Sequence, residues 1–250
     1  MKTFAAFRRH WEPSREGDRH EAIDAFVETH LARYADARDF PGRGGTSRLS
    51  PLIASGEITI DDCTAAALAA SPSKGREKWI DELCWHDWWE HVKSTGLDKP
   101  RLDPRWDKPG ERFDRWREGK TGFPLVDAGM RELAATGWMH DRARMVAASF
   151  LVKHLHIVWR AGEGWFAEKL IDYDPAQNEG NWQWVAGTGI DAQPWFRIFN
   201  PERQRERFDP DCSYCRKWVP EWEGFGYPEP MIDLATEAAE AKERYKAASR

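Results

Sequence analysis

Apolar residues recur at helical spacing along most of this chain, and that periodicity constrains the fold more than any other feature. Residues 21–38 and 73–92 each alternate apolar and charged side chains every three or four positions. Pro124 fits the first turn of a further helix, which Gly137 ends. Residues 140–160 are the most apolar segment, and we expect one central, buried helix there. Because strand patterns are scarce and no βαβ alternation occurs, the sequence predicts an all-α fold.

These helices fit a single domain over residues 1–250. We expect an N-terminal helical segment over 1–32 and a C-terminal tail over 223–250 that carries a solvated terminal helix. A break rich in glycine at 40–45 and a connection rich in proline and charge at 97–122 separate the helical segments. A chain of this length can bury roughly 70–75% of the surface that it exposes when unfolded.

Composition excludes several classes of protein. Hydrophobic residues at 41% and charged residues at 32% do not fit a disordered tail, a collagen-like fibre or a membrane-embedded protein. The first residues are too charged for a signal peptide and no stretch is long enough to span a bilayer, so we expect a soluble cytoplasmic protein without a membrane partner. The net charge is 37 − 42 = −5, so nucleic acid could bind only through a local basic surface.

Cysteine usage predicts free thiols and no metal site. Four cysteines are too few for a disulfide scaffold in a chain of this length. Cys212 and Cys215 alone have the spacing of metal ligands, and no second pair of Cys or His residues lies where a zinc site needs it.

Tryptophan is more frequent than helical packing requires, with 15 tryptophans against 5 tyrosines. Leucine fills a core with less steric demand. Tryptophan is favoured where an aromatic face or an indole N–H is needed, as beside a stacked cofactor, a stacked base or an anchored interface. The excess therefore indicates an aromatic ligand without identifying it.

The segment Gly42–Ser50 has the composition of an anion-binding loop. Its glycines free backbone N–H groups, Thr46 and Ser47 add hydroxyls, and Arg48 adds a guanidinium suited to phosphate. It is not a Walker A loop, because no lysine precedes the hydroxyl residues. An ordinary turn followed by a helix cap explains the segment equally well.

A second candidate site lies between Asp172 and Trp184, where carboxylates, amides and two indoles fall close together. Asp174 stands before a proline and predicts a helix start, which places Asn178 and Trp182 on one helical face. Carboxylates and amides beside a flat aromatic face suit a heterocycle with hydrogen-bonding edges, namely a flavin, a pterin or a base. The alternative is a capped helix whose tryptophans pack in the core.

A third candidate is the segment Trp138–Met145, at the start of the predicted buried helix. Arg142 and Arg144 lie on different helical faces and can serve different partners. An anionic ligand or a nucleic-acid face would explain buried positive charge, which is unfavourable without compensation. Ion pairs with the many acidic residues of the chain are the alternative.

In their order and composition, these segments resemble the helical, FAD-binding half of the photolyase/cryptochrome family. The resemblance runs from about Arg33 to about Trp222. The matching runs are Tyr34, Arg38–Pro41, Gly45–Ser50, Gly119–Ala128, Gly137–His140, Asp172–Trp184 and Arg197–Pro201. Runs of this length at near-family spacing are not coincidental.

The resemblance implies an FAD bound in a U shape inside a helical bundle. The diphosphate side would lie at Tyr34 and the 46–50 loop, and Asp172 and Asp174 would face the flavin and ribitol. Asn178 would lie at N5 of the isoalloxazine, where an amide supports the fully reduced anionic flavin. The residues implied to contact FAD are Tyr34, Thr46, Ser47, Arg48, Leu49, Ser50, Trp79, Trp138, Arg144, Asp172, Tyr173, Asp174 and Asn178.

The resemblance also implies an electron relay and a DNA site. Trp182 nearest the flavin, Trp159 in the middle and Trp106 outermost resemble the family's three relay tryptophans. A lesion flipped out of the duplex would enter a pocket beside the FAD adenine. The residues implied for the lesion pocket or the DNA backbone are Arg38, Glu82, Trp85, His86, Asp141, Arg142, Met145, Trp184 and Gln204.

Three departures from the family pattern bear on function. The α/β antenna domain that normally precedes this region is missing from the sequence, so we expect light to be absorbed by FAD alone or with a separate partner. His86 stands where the family has arginine, and histidine is only partly charged near neutral pH. Asp141 stands where the family has asparagine, and adds negative charge beside flavin and DNA. Both changes weaken the prediction of lesion repair relative to that of FAD binding.

Three functions are consistent with this pattern. The first is an enzyme, a short DNA photolyase that uses light and reduced FAD to split cyclobutane pyrimidine dimers. The second is a cryptochrome-like blue-light sensor that binds FAD without repairing DNA. The third is a degenerate domain that binds FAD or single-stranded DNA without catalysis. The pocket lacks the paired histidines expected for (6-4) repair, which favours the cyclobutane lesion, and a monomer is the default assembly.

Overall fold

The computed structural model describes residues 1–249, which form fourteen α-helices and no sheet, and this confirms the all-α prediction. The helices are α1 (Phe4–Arg8), α2 (Glu21–Thr29), α3 (Tyr34–Ala37), α4 (Ser50–Ser55), α5 (Ile60–Ala69), α6 (Lys74–Ser94), α7 (Glu111–Arg117), α8 (Pro124–Thr136), α9 (Asp141–Lys153), α10 (Trp159–Lys169), α11 (Pro175–Ala186), α12 (Pro201–Phe208), α13 (Ser213–Trp218) and α14 (Leu234–Ala248). One isolated bridge joins Asp107 and Ile157 in parallel.

Local sequence sets several helix ends as predicted. Helix α8 starts at Pro124 and stops before Gly137, whose φ of 69° closes the helix in the left-handed region. Helix α11 starts directly after Asp174, whose carboxylate caps two backbone N–H groups of its first turn. These ends follow from residues within one helical turn of the boundary.

The single helix predicted over 140–160 is wrong in its length. Helix α9 ends at Lys153, the chain takes a left-handed φ of 56° at His156, and α10 begins at Trp159. Hydrophobicity did not reveal this break because the connecting segment is itself buried, with Leu155 fully shielded from solvent. The helix predicted over 21–38 is also broken, by a 3₁₀ turn between α2 and α3.

The C-terminal tail forms the predicted helix, but one narrow face of it is buried rather than solvated. Ala241 and Tyr245 of α14 are 0% and 2% exposed. The ring of Tyr245 lies 6.0 Å from that of Trp106 and 6.2 Å from that of Trp195, measured between centroids. The spacing of Ala241 and Tyr245 places both on one face, so a polar helix docks through a narrow apolar stripe.

Two apolar clusters supply most of the core. The larger centres on α8, α9, α10 and α11 and contains Trp159 and Trp182. The second draws on α2, α5 and α6 and contains Tyr34, Leu49 and Trp79. All four cysteines are free thiols, as predicted. Within residues 1–249, no helix is long and apolar enough to cross a membrane.

Candidate functional site

The carboxylate of Asp172 lies where three distant chain segments meet. Its Oδ2 accepts hydrogen bonds from Ser50 Oγ at 2.6 Å and from Arg144 Nη2 at 2.7 Å. Only 1% of this side chain is exposed, and within residues 1–249 its Oδ1 is buried without a hydrogen-bond partner. A buried carboxylate oxygen without a donor is unfavourable. The site is therefore satisfied when a further group donates an N–H or O–H to Oδ1.

The indole of Trp138 closes one side of this site. Its Nε1 donates to Ser50 Oγ at 3.2 Å. The guanidinium groups of Arg48 and Arg144 lie 4.2 Å and 6.0 Å from the centre of the Trp138 ring. We refer to Ser50, Trp138, Arg144 and Asp172 as the Asp172 cluster. It combines an aromatic face, a cation and a carboxylate, which suits a planar ligand with hydrogen-bonding edges.

Helix α11 adds an amide to the same region. The Oδ1 of Asp174 is occupied in capping, because it accepts the N–H groups of Ala176 and Gln177, both at 2.8 Å. Asn178 follows one turn later and is 8% exposed. Its Nδ2 donates one hydrogen to the backbone oxygen of Glu163 at 3.0 Å, and that bond does not use the second hydrogen. Asp174 thus caps the helix that carries Asn178 through Oδ1, and these two bonds do not use its Oδ2.

The loop predicted to bind phosphate passes close to α3. A Cβ on Gly45 would lie 2.5 Å from the Cβ of Ala37, so the loop can follow this path only with glycine. Beyond it, Thr46 and Ser47 are half-buried. Arg48 takes a left-handed φ of 55° and its side chain is 60% exposed. The loop therefore presents hydroxyls and a cation next to the Asp172 cluster.

Leu49 of this loop is buried in the second apolar cluster together with Tyr34 and Trp79. The guanidinium of Arg38 lies 5.6 Å from the centre of the Tyr34 ring. Burial raises the pKa of Tyr34, so its hydroxyl is neutral and can donate a hydrogen bond. These residues form an apolar wall with one polar group. Tyr173 is half-buried at the edge of the larger cluster.

Two arginines predicted to hold the DNA backbone are paired within the protein. Arg38 lies 2.9 Å from Glu82, and Arg142 lies 2.8 Å from Asp39 and 4.1 Å from the centre of the Phe208 ring. The arginine side chains are only 17% and 15% exposed. In this arrangement a phosphate would have to compete with a carboxylate for each guanidinium.

The tryptophans predicted for the lesion pocket lie together. Trp85 and Trp184 are both half-buried and both pack against a third apolar cluster, which includes Trp88 and Trp89. Ala176, in the first turn of α11, belongs to the same cluster. Helix α11 thus runs from the neighbourhood of the Asp172 cluster into the apolar cluster on which both tryptophans pack. Of the other residues predicted here, His86, Met145 and Gln204 are half-buried and Asp141 is exposed.

The three predicted relay tryptophans lie on adjacent segments. Trp182 and Trp159 are buried, whereas Trp106 is half-buried and donates from Nε1 to Asp103 Oδ1 at 2.9 Å. A Cβ on Gly162 would overlap the ring of Trp182, so α10 and α11 are in direct contact there. The bridge that follows Trp106 pairs its segment with the residues just before α10. Trp106 is therefore the most exposed of the three tryptophans, and Trp159 and Trp182 are equally buried.

Sequence reasoning did not predict the contacts that hold the C-terminal end of α11. Lys153 is fully buried, and its Nζ donates to the backbone oxygens of Ala186 at 2.9 Å and Trp195 at 3.1 Å. The same Nζ lies 3.6 Å from the centre of the Tyr245 ring. Burial lowers the pKa of Lys153 to about 7. The Ala241–Tyr245 spacing was a signal for the docking of α14, but no local pattern marks a buried lysine.

Known proteins are similar in sequence to this chain. A family model described as the FAD binding domain of DNA photolyase matches residues 56–226. A curated relative from Vibrio cholerae, named deoxyribodipyrimidine photo-lyase, is 47% identical over 208 residues, which cover 78% of this chain and 44% of the relative. This chain spans about half the length of the curated relatives that it matches.

Solved structures share the fold. A bacterial class III photolyase from Agrobacterium tumefaciens matches with a TM-score of 0.86 and 37% identity, over 98% of this chain and 58% of that one. A cryptochrome from Synechocystis matches with a TM-score of 0.82 and 30% identity, over 97% of this chain and 56% of that one. The chain belongs to the photolyase family, through the FAD-binding domain that defines it.

Proposed function

We propose that the Asp172 cluster, the 46–50 loop and α11 together hold FAD. The buried Oδ1 of Asp172 needs a donor, and FAD carries hydroxyl groups on its ribityl chain and an N–H on its isoalloxazine. Trp138 supplies an aromatic face, Arg48 supplies positive charge for the diphosphate, and Asn178 supplies an amide for the flavin edge. The donor set therefore fits the cofactor.

The function that this site supports best is light-driven repair of cyclobutane pyrimidine dimers in DNA. Reduced FAD, when bound, supplies under light the electron that splits the dimer and takes it back afterwards. The protein binds and orients cofactor and lesion and excludes water from between them. The observation that carries this proposal is that α11 starts beside the Asp172 cluster and carries Trp184, which packs against the same apolar cluster as Trp85. The relatives named deoxyribodipyrimidine photo-lyase support the substrate class.

A light-dependent repair assay tests the proposal. Purified protein with bound, reduced FAD is mixed with an oligonucleotide that carries one thymine dimer, and restored thymines are counted after illumination and in the dark. We expect restoration only in the light. Asp172→Asn, which keeps the side-chain volume but removes the carboxylate beside Arg144, should lose most bound FAD and most repair. If wild-type protein binds and photoreduces FAD but restores no thymines, the repair proposal is wrong.

We also propose Trp106, Trp159 and Trp182 as the route by which electrons reach the flavin from the surface. Trp106→Phe should slow photoreduction of bound FAD at least tenfold, because phenylalanine is much harder to oxidise than tryptophan. Repair by chemically pre-reduced protein should persist. Trp165→Phe is the matched control, since Trp165 is also half-buried but lies outside this route. Unchanged photoreduction in Trp106→Phe would show that the outermost position is misassigned.

One observation favours a light sensor as the second candidate. The ion pairs of Arg38 with Glu82 and of Arg142 with Asp39 occupy guanidinium groups that DNA backbone contacts would need. A sensor would bind FAD and photoreduce it but would show no preference for a dimer-containing oligonucleotide. Binding measurements with damaged and undamaged oligonucleotides of one sequence therefore separate the two functions.

A further inference from the structure

The side chain of Phe4 lies flat on the indole of Trp85. The two ring centroids are 3.6 Å apart and the ring planes differ by 7°. The backbone N–H of Phe4 donates to Asp191 Oδ2 at 2.7 Å, which fixes the first residue of α1 over the pocket. Bases stack on aromatic side chains face to face in the same way. Phe4 therefore takes a position on Trp85 that a base could occupy.

The rest of the N-terminal segment is attached to α6 through an ion pair, a hydrogen bond and an aromatic contact. Arg8 Nε lies 2.8 Å from Asp81 Oδ1, and Trp11 Nε1 donates to Asp87 Oδ2 at 2.8 Å. The side chains of the ion pair are 35% and 43% exposed, and such pairs hold weakly. Helix α1 has only five residues, too few to be stable on its own. Phe7 also packs on the buried Trp88, with ring centroids 5.5 Å apart, and this contact has to break as well when the segment leaves α6.

We propose that residues 1–11 form a displaceable cover over the lesion pocket, in which Phe4 occupies the place of a flipped pyrimidine until DNA replaces it. The inference rests on the proposed function, because it takes Trp85 and Trp184 as the lesion pocket. A cover of this kind lowers the apparent affinity for DNA by the fraction of molecules in which it is open. A base that leaves the duplex readily, as in a damaged pair, displaces the cover more easily than an intact pair does.

Hydroxyl-radical footprinting tests the cover in the absence of DNA. The full chain is oxidised briefly and the modification of Trp85 is measured by mass spectrometry. Phe4→Ala should raise the oxidation of Trp85 several-fold. Phe225→Ala is the matched control, because Phe225 is fully exposed and its loss should leave Trp85 unchanged. If Trp85 is oxidised equally in wild type and Phe4→Ala, Phe4 does not cover it and the proposal is wrong.

Binding to an oligonucleotide with one thymine dimer tests whether the cover opposes DNA. Phe4→Ala should bind roughly two- to tenfold more tightly than wild type, the range that an aromatic pair contributes. Phe4→Trp keeps a stacked ring and should bind no more tightly than wild type. Equal or weaker binding by Phe4→Ala, with the preference for damaged DNA retained, overturns the cover and leaves the proposed function standing. If neither the wild type nor any variant prefers the damaged oligonucleotide, the assignment of Trp85 and Trp184 to a lesion pocket is wrong, and the proposed cover falls with it.

Discussion

Helix α11 begins after Asp174 and ends at Ala186, and different parts of the chain hold the two ends. At the start, Asp174 Oδ1 accepts two backbone N–H groups of the first turn, both at 2.8 Å. At the end, the carbonyl of Ala186 accepts from Lys153 Nζ at 2.9 Å and from Tyr245 Oη at 2.6 Å. Those two donors are 33 and 59 residues away in sequence. Residues close in sequence fix the first end, whereas the second, which Gly187 closes at a φ of 73°, is also held by distant helices.

This difference separates the two tasks that α11 performs. Asn178, which we propose to contact FAD, lies one turn from the capped start, so its position follows from the cap and from the nearby Asp172. The other end lies close to Trp195 and, through Tyr245, to Trp106 at the outer end of the proposed relay. We therefore expect changes at the start to weaken FAD binding, and changes at the end to alter stability with little effect on FAD.

The largest effect is expected where Gly162 of α10 contacts Trp182 in the middle of α11. A Cβ at Gly162 would overlap the ring of Trp182, so Gly162→Ala should lower the free energy of unfolding by about 1–3 kcal/mol and weaken FAD retention. Gly164→Ala, also on α10, is the matched control, because no atom of the described residues lies within 4 Å of the Cβ that it would add. That control should be unchanged or more stable by up to about 1 kcal/mol. Urea unfolding of both variants measures the difference, and equal losses would show that Trp182 tolerates the methyl group.

The buried ammonium of Lys153, at the C-terminal end of α11, predicts that the stability of the protein depends on pH. The folded state releases the Lys153 proton near pH 7, while an unfolded lysine holds its proton to about 10.4. Between these values the unfolded chain binds more protons, so stability should rise with pH. From pH 7 to 8.5 the free energy of unfolding of the wild type should rise by about 1.5–2 kcal/mol relative to that of Lys153→Met. Urea unfolding of both proteins at each pH measures this difference. Parallel pH profiles would instead mean that the two carbonyls and the Tyr245 ring keep the ammonium charged.

Removal of the Asp174 cap tests the start of α11. Asp174→Ala should cost about 1 kcal/mol of stability, as N-cap losses do, and should also weaken FAD binding, because the first turn carries Asn178. Asp233→Ala removes the same kind of cap from α14 and is the matched control. It should lower stability by a similar amount and leave FAD binding unchanged. Titration of both apoproteins with FAD measures this, and a loss of FAD affinity shared by both variants would contradict the assignment.

The smallest effect is expected at Tyr245. Tyr245→Phe removes the hydrogen bond to the carbonyl of Ala186, but Lys153 still donates to that carbonyl. The free energy of unfolding should therefore fall by only about 0.5–1 kcal/mol. Hydrogen exchange should be faster in α14 and unchanged in the first turn of α11. Faster exchange at the start of α11 would show that its two ends are coupled.

Local sequence predicted the start of α11 well, because Asp174 and the following proline act within one turn. It did not predict that α9 stops at Lys153, since the connecting residues are as apolar as the helices that they join. Ser50, Arg144 and Asp172 were all expected near FAD from the family resemblance. That the first two share one oxygen of Asp172 is a contact across 122 and 28 residues, which no spacing pattern encodes.

By itself, the sequence determined the all-α class, the helix ends at Pro124, Gly137 and Asp174, and the residue types available to a cofactor site. The tertiary structure alone decided that no group within residues 1–249 donates to Oδ1 of Asp172, and that Phe4 lies on Trp85. The reason is physical. Caps and turns form between groups a few residues apart, so their sequence signal is local. Burial and pairing of distant groups depend on how helices pack, which is decided by the whole core at once.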